Sequence, residues 1–374
     1  FFEEKIHEIR RIHPDPNQIR KAAEKLKQSK QPIIISGGGV LYSEAEQEIS
    51  NFASKHNIPV TATVMGIGCM KKDDPYYISA IGCLGEGSSN NLATDTDLAL
   101  AVGTKLGDFT TGSWTNFENE NFQLVSINTS RFDTTKHRAT PVVSDAKVGL
   151  KELSKHLGEW KAPDSWYNNA VQEKEKWDAY VVKESGPTNQ ELPSYAHAVG
   201  AVYRNADSTD IVVTAAGGLV GEVVQIWKPK ELNTFETEWG FSCMGYEISG
   251  ALGIKMAKPN QDVIVFVGDG SYLLQNSDIY SSIMYDKKLI IVVCDNGGHM
   301  VINRLQLAKG GKEYLCNLRS ARASNVQFVD FEAHAKSMGA NAETVKSTSE
   351  LEAAFKRAKK SDKTYVISML THGY

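Results

Sequence analysis

No CxxC pair occurs in this chain, and its five cysteines, Cys69, Cys83, Cys243, Cys294 and Cys316, are odd in number and mostly set among apolar residues. That argues against a disulfide framework and suits a reducing cytoplasm. No apolar stretch is long enough to span a bilayer. The opening "FFEEKIHEIRRIHPDP" places acidic residues where a signal peptide needs an uninterrupted apolar segment. No long run of one charge sign occurs either. Lys and Arg total 41 against 45 Asp and Glu, for a net charge of −4, so neither nucleic acid nor a membrane surface is an expected partner. The nine histidines have no metal-ligand spacing and no Ser or Cys nucleophile motif beside them, which leaves hydrolysis by a catalytic triad without support. Internal repeats and low-complexity tracts are lacking as well.

What is present is a regular alternation. With 374 residues, 41% of them hydrophobic, the chain can bury two or three domain cores. "QPIIIS", "IPVTATV", "TDLALAVGTKL" and "QLVSINTS" read as apolar strands separated by loops and helices. "SEAEQEISNFASKHN" is a helix for which Ser43 and Glu46 supply a capping box. This predicts a first α/β unit over residues 1–160. Residues 161–192 are charged and flanked by prolines, and read as a linker containing one solvated helix. A second α/β unit follows over 193–374, with strands at "DIVVTAAGG", "VIVFVGDG", "LIIVVCDN" and "KTYVISML". The expected fold class is α/β, with two parallel-sheet, three-layer domains.

The chemistry concentrates in "GDGSYLLQNSDIYSSIMYDKKLIIVVCDN", Gly268 to Asn296. Two uninterrupted apolar runs flank "SDIYSSIMYD", as expected of strands buried on both faces and joined by a helical crossover. A right-handed crossover brings the carboxyl ends of parallel strands to one edge of the sheet, where open α/β sheets bind ligands. Asp269 follows the first strand and Asn296 the second, so the two oxygen-bearing side chains are expected in one crevice. Hard oxygens there suit Mg²⁺, which completes its octahedral shell with phosphates and water. Gly268 and Gly270 allow a tight turn around Asp269, Ser271 offers a hydroxyl and an N–H, and Gly298 can turn a carbonyl toward the ion.

GDG followed by a strand ending in Asn-Gly-Gly resembles the fingerprint of the thiamine-diphosphate-dependent enzymes. The resemblance implies that Asp269, Asn296 and the Gly298 carbonyl hold Mg²⁺ against the diphosphate of thiamine diphosphate. "FSCMGYEISGALG" resembles the family segment whose bulky apolar residue wedges between the two thiamine rings, here Met244. "TAAGGLVGE" resembles the loop lining the aminopyrimidine, so Gly217 and Gly218 are implied cofactor contacts. Gly268, Gly270, Ser271, His299 and Met300 complete the implied cofactor-binding set. His299 departs from the Tyr common at its position in the wider family.

Within the family, "AVGTKLGDFTTGSW", "TAAGGLVGE", "FSCMGYEISGALGIKMA" and "CDNGGHMVINRLQ" are most similar to the trihydroxycyclohexane-1,2-dione hydrolases of myo-inositol breakdown. This subfamily resemblance implies a cytoplasmic enzyme that hydrolytically cleaves a C–C bond of a cyclic 1,2-dione to give 5-deoxy-glucuronate. It also implies a homodimer or homotetramer with the cofactor at a subunit interface. The alternatives are an acetolactate-synthase-like carboligase or decarboxylase acting on 2-oxo acids, or a non-catalytic cofactor-binding module. The start lacks an initiator Met, and nothing matches the family's N-terminal pyrimidine-binding domain, which supplies the activating glutamate. The expectation is therefore that this sequence is part of a longer protein, and no catalytic residue is assigned within it.

Two weaker signals have plainer readings. "SGGGVLYSEAE" has Tyr42 where a dinucleotide loop needs its third glycine, and reads as a structural turn. Glu236 and Glu238 in "TFETEWGF" are either an acid–base pair or alternating residues on one strand face.

Overall fold

The computed structural model describes residues 7–320 and 328–372. The chain divides into two compact units, Phe1–Asp178 and Ala179–Tyr374. Unit 1 carries strands β1 (Pro32–Ser36), β2 (Val60–Ala62), β3 (Tyr77–Ala80), β4 (Leu98–Val102), β5 (Gln123–Asn128) and β6 (Thr140–Val143). They form one parallel sheet in the order β3-β2-β1-β4-β5-β6, the doubly wound arrangement. Strands β1 and β4 are buried along their whole length, as their unbroken apolar runs require.

In such a sheet a ligand crevice is expected between β1 and β4, where the strand order reverses. Here the chain fills it with its own backbone. The glycine-rich turn after β1 is the short helix Gly38–Tyr42, not the loop its sequence suggests. The Gly39 N–H donates to the Gly103 carbonyl at 2.9 Å, and a Cβ on Gly37 would lie 2.4 Å from that oxygen. These glycines permit close backbone contact rather than phosphate binding.

The capping box expected at the next helix is not formed. That helix runs Glu46–His56 with Ala45 at its N-cap, and no side chain caps it. The Ser43 hydroxyl instead donates to Asp145, a residue 102 positions away that also pairs with Arg11 at 2.9 Å. The helix read from the 161–192 segment spans Asp164–Glu184. Most of it is solvated, but one face of its first half is anchored: Trp166 and Ala170 are buried, and the Trp166 Nε1–H donates to the Pro32 carbonyl at 2.8 Å.

Unit 2 carries β7 (Ile211–Thr214), β8 (Phe235–Thr237), β9 (Val263–Gly268), β10 (Ile290–Asp295), β11 (Asn341–Val345) and β12 (Tyr365–Leu370). All pairings are parallel, in the order β11-β12-β10-β9-β7-β8. Val263, Val265, Val267, Ile291 and Val293 meet Ile248, Ala251 and Tyr272 in one core cluster on a face of this sheet. Burial of each valine or isoleucine side chain there contributes about 1.5–3 kcal/mol. The strand order reverses between β7 and β9, so the ligand crevice of this unit lies at their carboxyl ends. Both α/β units are thus three-layer parallel-sheet structures.

Among the described residues no helix is long and apolar enough to cross a membrane. The five cysteines are free. Cys69 and Cys294 are buried, Cys316 is half-buried, and Cys83 and Cys243 are exposed, so fewer sit in apolar surroundings than the sequence suggests.

Candidate functional site

Three segments converge at the β7/β9 crevice. Ala215–Gly218 follows β7, the loop after β8 carries Met244 and Gly245, and Gly268-Asp269-Gly270 follows β9. The helical crossover after β9 is present in two pieces, Asp269–Leu274 and Asp278–Met284. It places Asp269 and Asn296 at the ends of two adjacent strands.

The strand register decides which side chain faces Asp269. Gly268 is opposite Cys294, so Asp269 continues opposite Asp295, a residue the sequence reading did not single out. Asp269 and Asp295 are only 9% and 4% exposed, and their carboxyl groups interact with each other. Burial and then the neighbouring Asp295 push Asp269 up to about 7, against the opposing amides of Gly270 and Gly298. Burial likewise raises Asp295, although the Gly297 N–H donates to it at 2.9 Å. Two buried carboxyl groups that favour sharing a proton make a position where a divalent cation would relieve their repulsion.

Asn296 contributes differently. Its Nδ2 donates to the Tyr195 hydroxyl at 2.5 Å, while its Oδ1 is buried with no hydrogen-bond partner. A buried amide oxygen without a partner costs about 1–3 kcal/mol, so such an atom points to a missing ligand. Among the described residues no group of three His, Cys, Asp or Glu side chains forms a metal cluster. A cation here would therefore depend on amide and backbone oxygens as well as carboxylates, which is a donor set suited to Mg²⁺.

The glycines divide into two kinds. A Cβ on Gly268 or Gly217 would meet nothing within 4 Å, leaving open space on that side of the backbone. Gly298 is the opposite case: its φ is +148°, and a Cβ there would lie 2.2 Å from the Cys316 carbonyl oxygen. It bridges Asn317, and its backbone lies close enough to Asp269 to favour the ionised carboxyl. Gly270 faces the His299 ring and the Met244 methyl, which a Cβ would approach to 2.9 and 3.3 Å. Gly218 lies beside Val301 and Tyr195.

Met244 is 39% exposed, and Met300 is buried at the start of helix Met300–Ala308. His299 stands exposed just before that helix, its N–H bonded to the Cys316 carbonyl at 2.8 Å. A cavity of about 290 Å³ opens beside Asp269, Gly270, Asp295, Gly298 and His299, and continues to Phe328 and Phe331. It is not lined by Gly217, Met244, Ser271 or Asn296.

Ser271 departs from expectation. Its hydroxyl is not open to a ligand but donates to Glu247 Oε1 at 3.0 Å. The Glu236/Glu238 pair also separates. β8 ends at Thr237, burial raises the Glu236 carboxyl, and Glu238 accepts from the Phe241 and Cys243 amides at 2.8 and 2.6 Å. Glu238 closes the loop leading to Met244. Glu247, Asp295 and Tyr195 were missed because each acts through a contact distant in sequence; an Asp at a strand's carboxyl end was the one available signal.

Residues 19–153 match the model of the thiamine pyrophosphate enzyme central domain, and 215–369 that of the C-terminal TPP binding domain. Proteins named 3D-(3,5/4)-trihydroxycyclohexane-1,2-dione hydrolase are similar along the whole chain. The one from Geobacillus thermodenitrificans is 32% identical, that from Halalkalibacterium halodurans 33% and that from Shouchella clausii 34%. Each match covers 100% of this chain and 63% of the relative, so the chain spans less than two thirds of their length. The chain belongs to the thiamine pyrophosphate enzyme family.

Proposed function

We propose that this chain forms the central and diphosphate-binding domains of a thiamine-diphosphate-dependent, Mg²⁺-requiring hydrolase that opens a cyclic 1,2-dione by cleaving the bond between its carbonyl carbons. The substrate class comes from the names of its relatives, trihydroxycyclohexane-1,2-dione hydrolases. The observation that carries the cofactor reading is the unpartnered, buried Asn296 Oδ1 beside the carboxyl-bearing end of β9.

Asp269, Asn296 Oδ1 and the Gly298 carbonyl would hold Mg²⁺, with Asp295 adding negative charge next to Asp269. The open backbone at Gly268, with Gly270 and the Ser271 N–H, would receive the diphosphate. Gly217 and Gly218 would face the aminopyrimidine, and Met244 would separate the two rings, with His299 and Met300 bordering the site. Bound there, thiamine diphosphate supplies a carbanion nucleophile and an electron sink for cleavage next to a carbonyl. The residues of this chain bind and orient it and keep water from its anchored end.

The same reading makes the protein a cytoplasmic homodimer or homotetramer with its cofactor at a subunit interface, which sedimentation with and without cofactor tests. The decisive experiment is turnover by the full-length protein of trihydroxycyclohexane-1,2-dione against pyruvate, with thiamine diphosphate and Mg²⁺. Cleavage of the dione alone supports the proposal. Turnover of pyruvate alone assigns the protein to the 2-oxo-acid carboligases or decarboxylases.

A further inference from the structure

Glu247 is fully buried, at 0% exposure, in the first turn of helix Tyr246–Ala257. Its carboxylate gathers donors from three separate segments. Oε1 accepts from the Ala216 N–H at 3.2 Å and the Ser271 hydroxyl at 3.0 Å, and Oε2 accepts from the Gly245 N–H at 2.9 Å. Ala216 directly precedes Gly217, Gly245 directly follows Met244, and Ser271 lies two residues beyond Asp269. One side chain therefore ties together the three loops that meet at the β7/β9 crevice.

The chemistry of the position is specific. Three donors converge on two oxygens, and only an acceptor with no hydrogens of its own satisfies all of them; a glutamine would set its NH₂ against one. Burying a carboxylate is costly, and desolvation raises the Glu247 pKa even against the opposing hydrogen bonds. An apolar side chain, like the neighbouring Ile248 and Ala251, would fill the space without that cost. The Gly245 backbone has little freedom besides: its φ is +94°, and a Cβ there would come 2.7 Å from that of Gln275.

We propose that Glu247 is a positioning residue for the cofactor site, setting the loops of Gly217, Met244 and Asp269 in their binding arrangement before thiamine diphosphate arrives. Preorganisation of this kind reduces the ordering cost that binding would otherwise meet. The proposal rests on the thiamine diphosphate reading above.

The test is Glu247→Gln in the full-length protein, with Kd for thiamine diphosphate measured by calorimetry at saturating Mg²⁺. Circular dichroism and the cofactor-free Tm report folding in parallel. Loss of one charge-assisted contact predicts a Kd raised about tenfold or more. Because Gly245 also holds the backbone of Met244, kcat should remain low even at saturating cofactor. A folded variant with wild-type Kd and kcat, lowered only in Tm, overturns the proposal and leaves Glu247 a core residue. Failure of the wild-type protein to bind thiamine diphosphate would instead overturn the functional reading. Should the variant not fold, amide exchange in the unmodified, cofactor-free protein decides. Slow exchange at Ala216 and Gly245 supports tethering before binding, and exchange at open-loop rates contradicts it.

Discussion

Gly298→Ala and Gly268→Ala separate what the fold requires from what the ligand requires. At Gly298 the backbone has φ +148°, and a new methyl would sit 2.2 Å from the Cys316 carbonyl oxygen. Forcing a side chain into such a glycine-favouring conformation costs about 1–3 kcal/mol. Relieving the overlap also opens the Gly298–Asn317 bridge and the 2.8 Å bond from the His299 N–H to Cys316, worth about 0.5–1.5 kcal/mol. Together these predict a loss near 3 kcal/mol, which for a unit of this size lowers Tm by about 6–12 °C. Gly268 has φ −77° and ψ 158°, and its methyl would meet nothing within 4 Å, so stability should change by less than about 0.5 kcal/mol. Thermal unfolding without cofactor measures both, and calorimetry then gives the thiamine diphosphate affinity. Both variants should bind more weakly, Gly268→Ala because the methyl occupies the space assigned to the diphosphate. A Gly298→Ala protein as stable as wild type, or a Gly268→Ala protein with unaltered affinity, would refute this reasoning.

Two further outcomes follow from particular side chains. Met244→Ala in the full-length protein should lower kcat more than it weakens cofactor binding, since the diphosphate anchor is untouched; equal kcat would return Met244 to ordinary packing. In unit 1, burial opposes ionisation of Asp145, but the Ser43 hydroxyl, the Val148 amide and Arg11 outweigh it and hold the carboxyl below its ordinary value. The folded state then binds fewer protons than the unfolded one, so this contribution is complete above about pH 4 and is lost as pH falls through the lowered value. The Tm gap between wild type and Asp145→Asn should accordingly be wide at neutral pH and narrow in acid, and a gap independent of pH would contradict the assignment.

The strands legible in the sequence are the interior ones. β1, β2, β4, β5, β7, β9, β10 and β12 each have two neighbours and are marked by apolar runs. The sheet edges are β3, β6, β8 and β11; of these only β8, in "TFETEWGF", carries a strand signal in the sequence, and that as one of two readings. An edge strand is short and covered on fewer sides, so its composition need not be continuously apolar; β6 even contains Pro141, and β11 reads Asn-Ala-Glu-Thr-Val. The capping box at Ser43 failed for a related reason. Its hydroxyl found Asp145 across the fold, and a local pattern cannot show a competing partner 102 residues away. At the candidate site, Gly268, Asp269 and Asn296 were legible because backbone freedom and strand-end position are local properties. Glu247 and Tyr195 were not, because their meaning lies in the hydroxyl and amide groups they reach.

Asp269 is the proposed ligand of the cation that would anchor the diphosphate. Calorimetric titration of thiamine diphosphate into full-length Asp269→Ala, with and without Mg²⁺, tests this most directly. The prediction is a folded protein whose Mg²⁺-dependent binding is abolished, and undiminished metal-dependent affinity in that variant would contradict it.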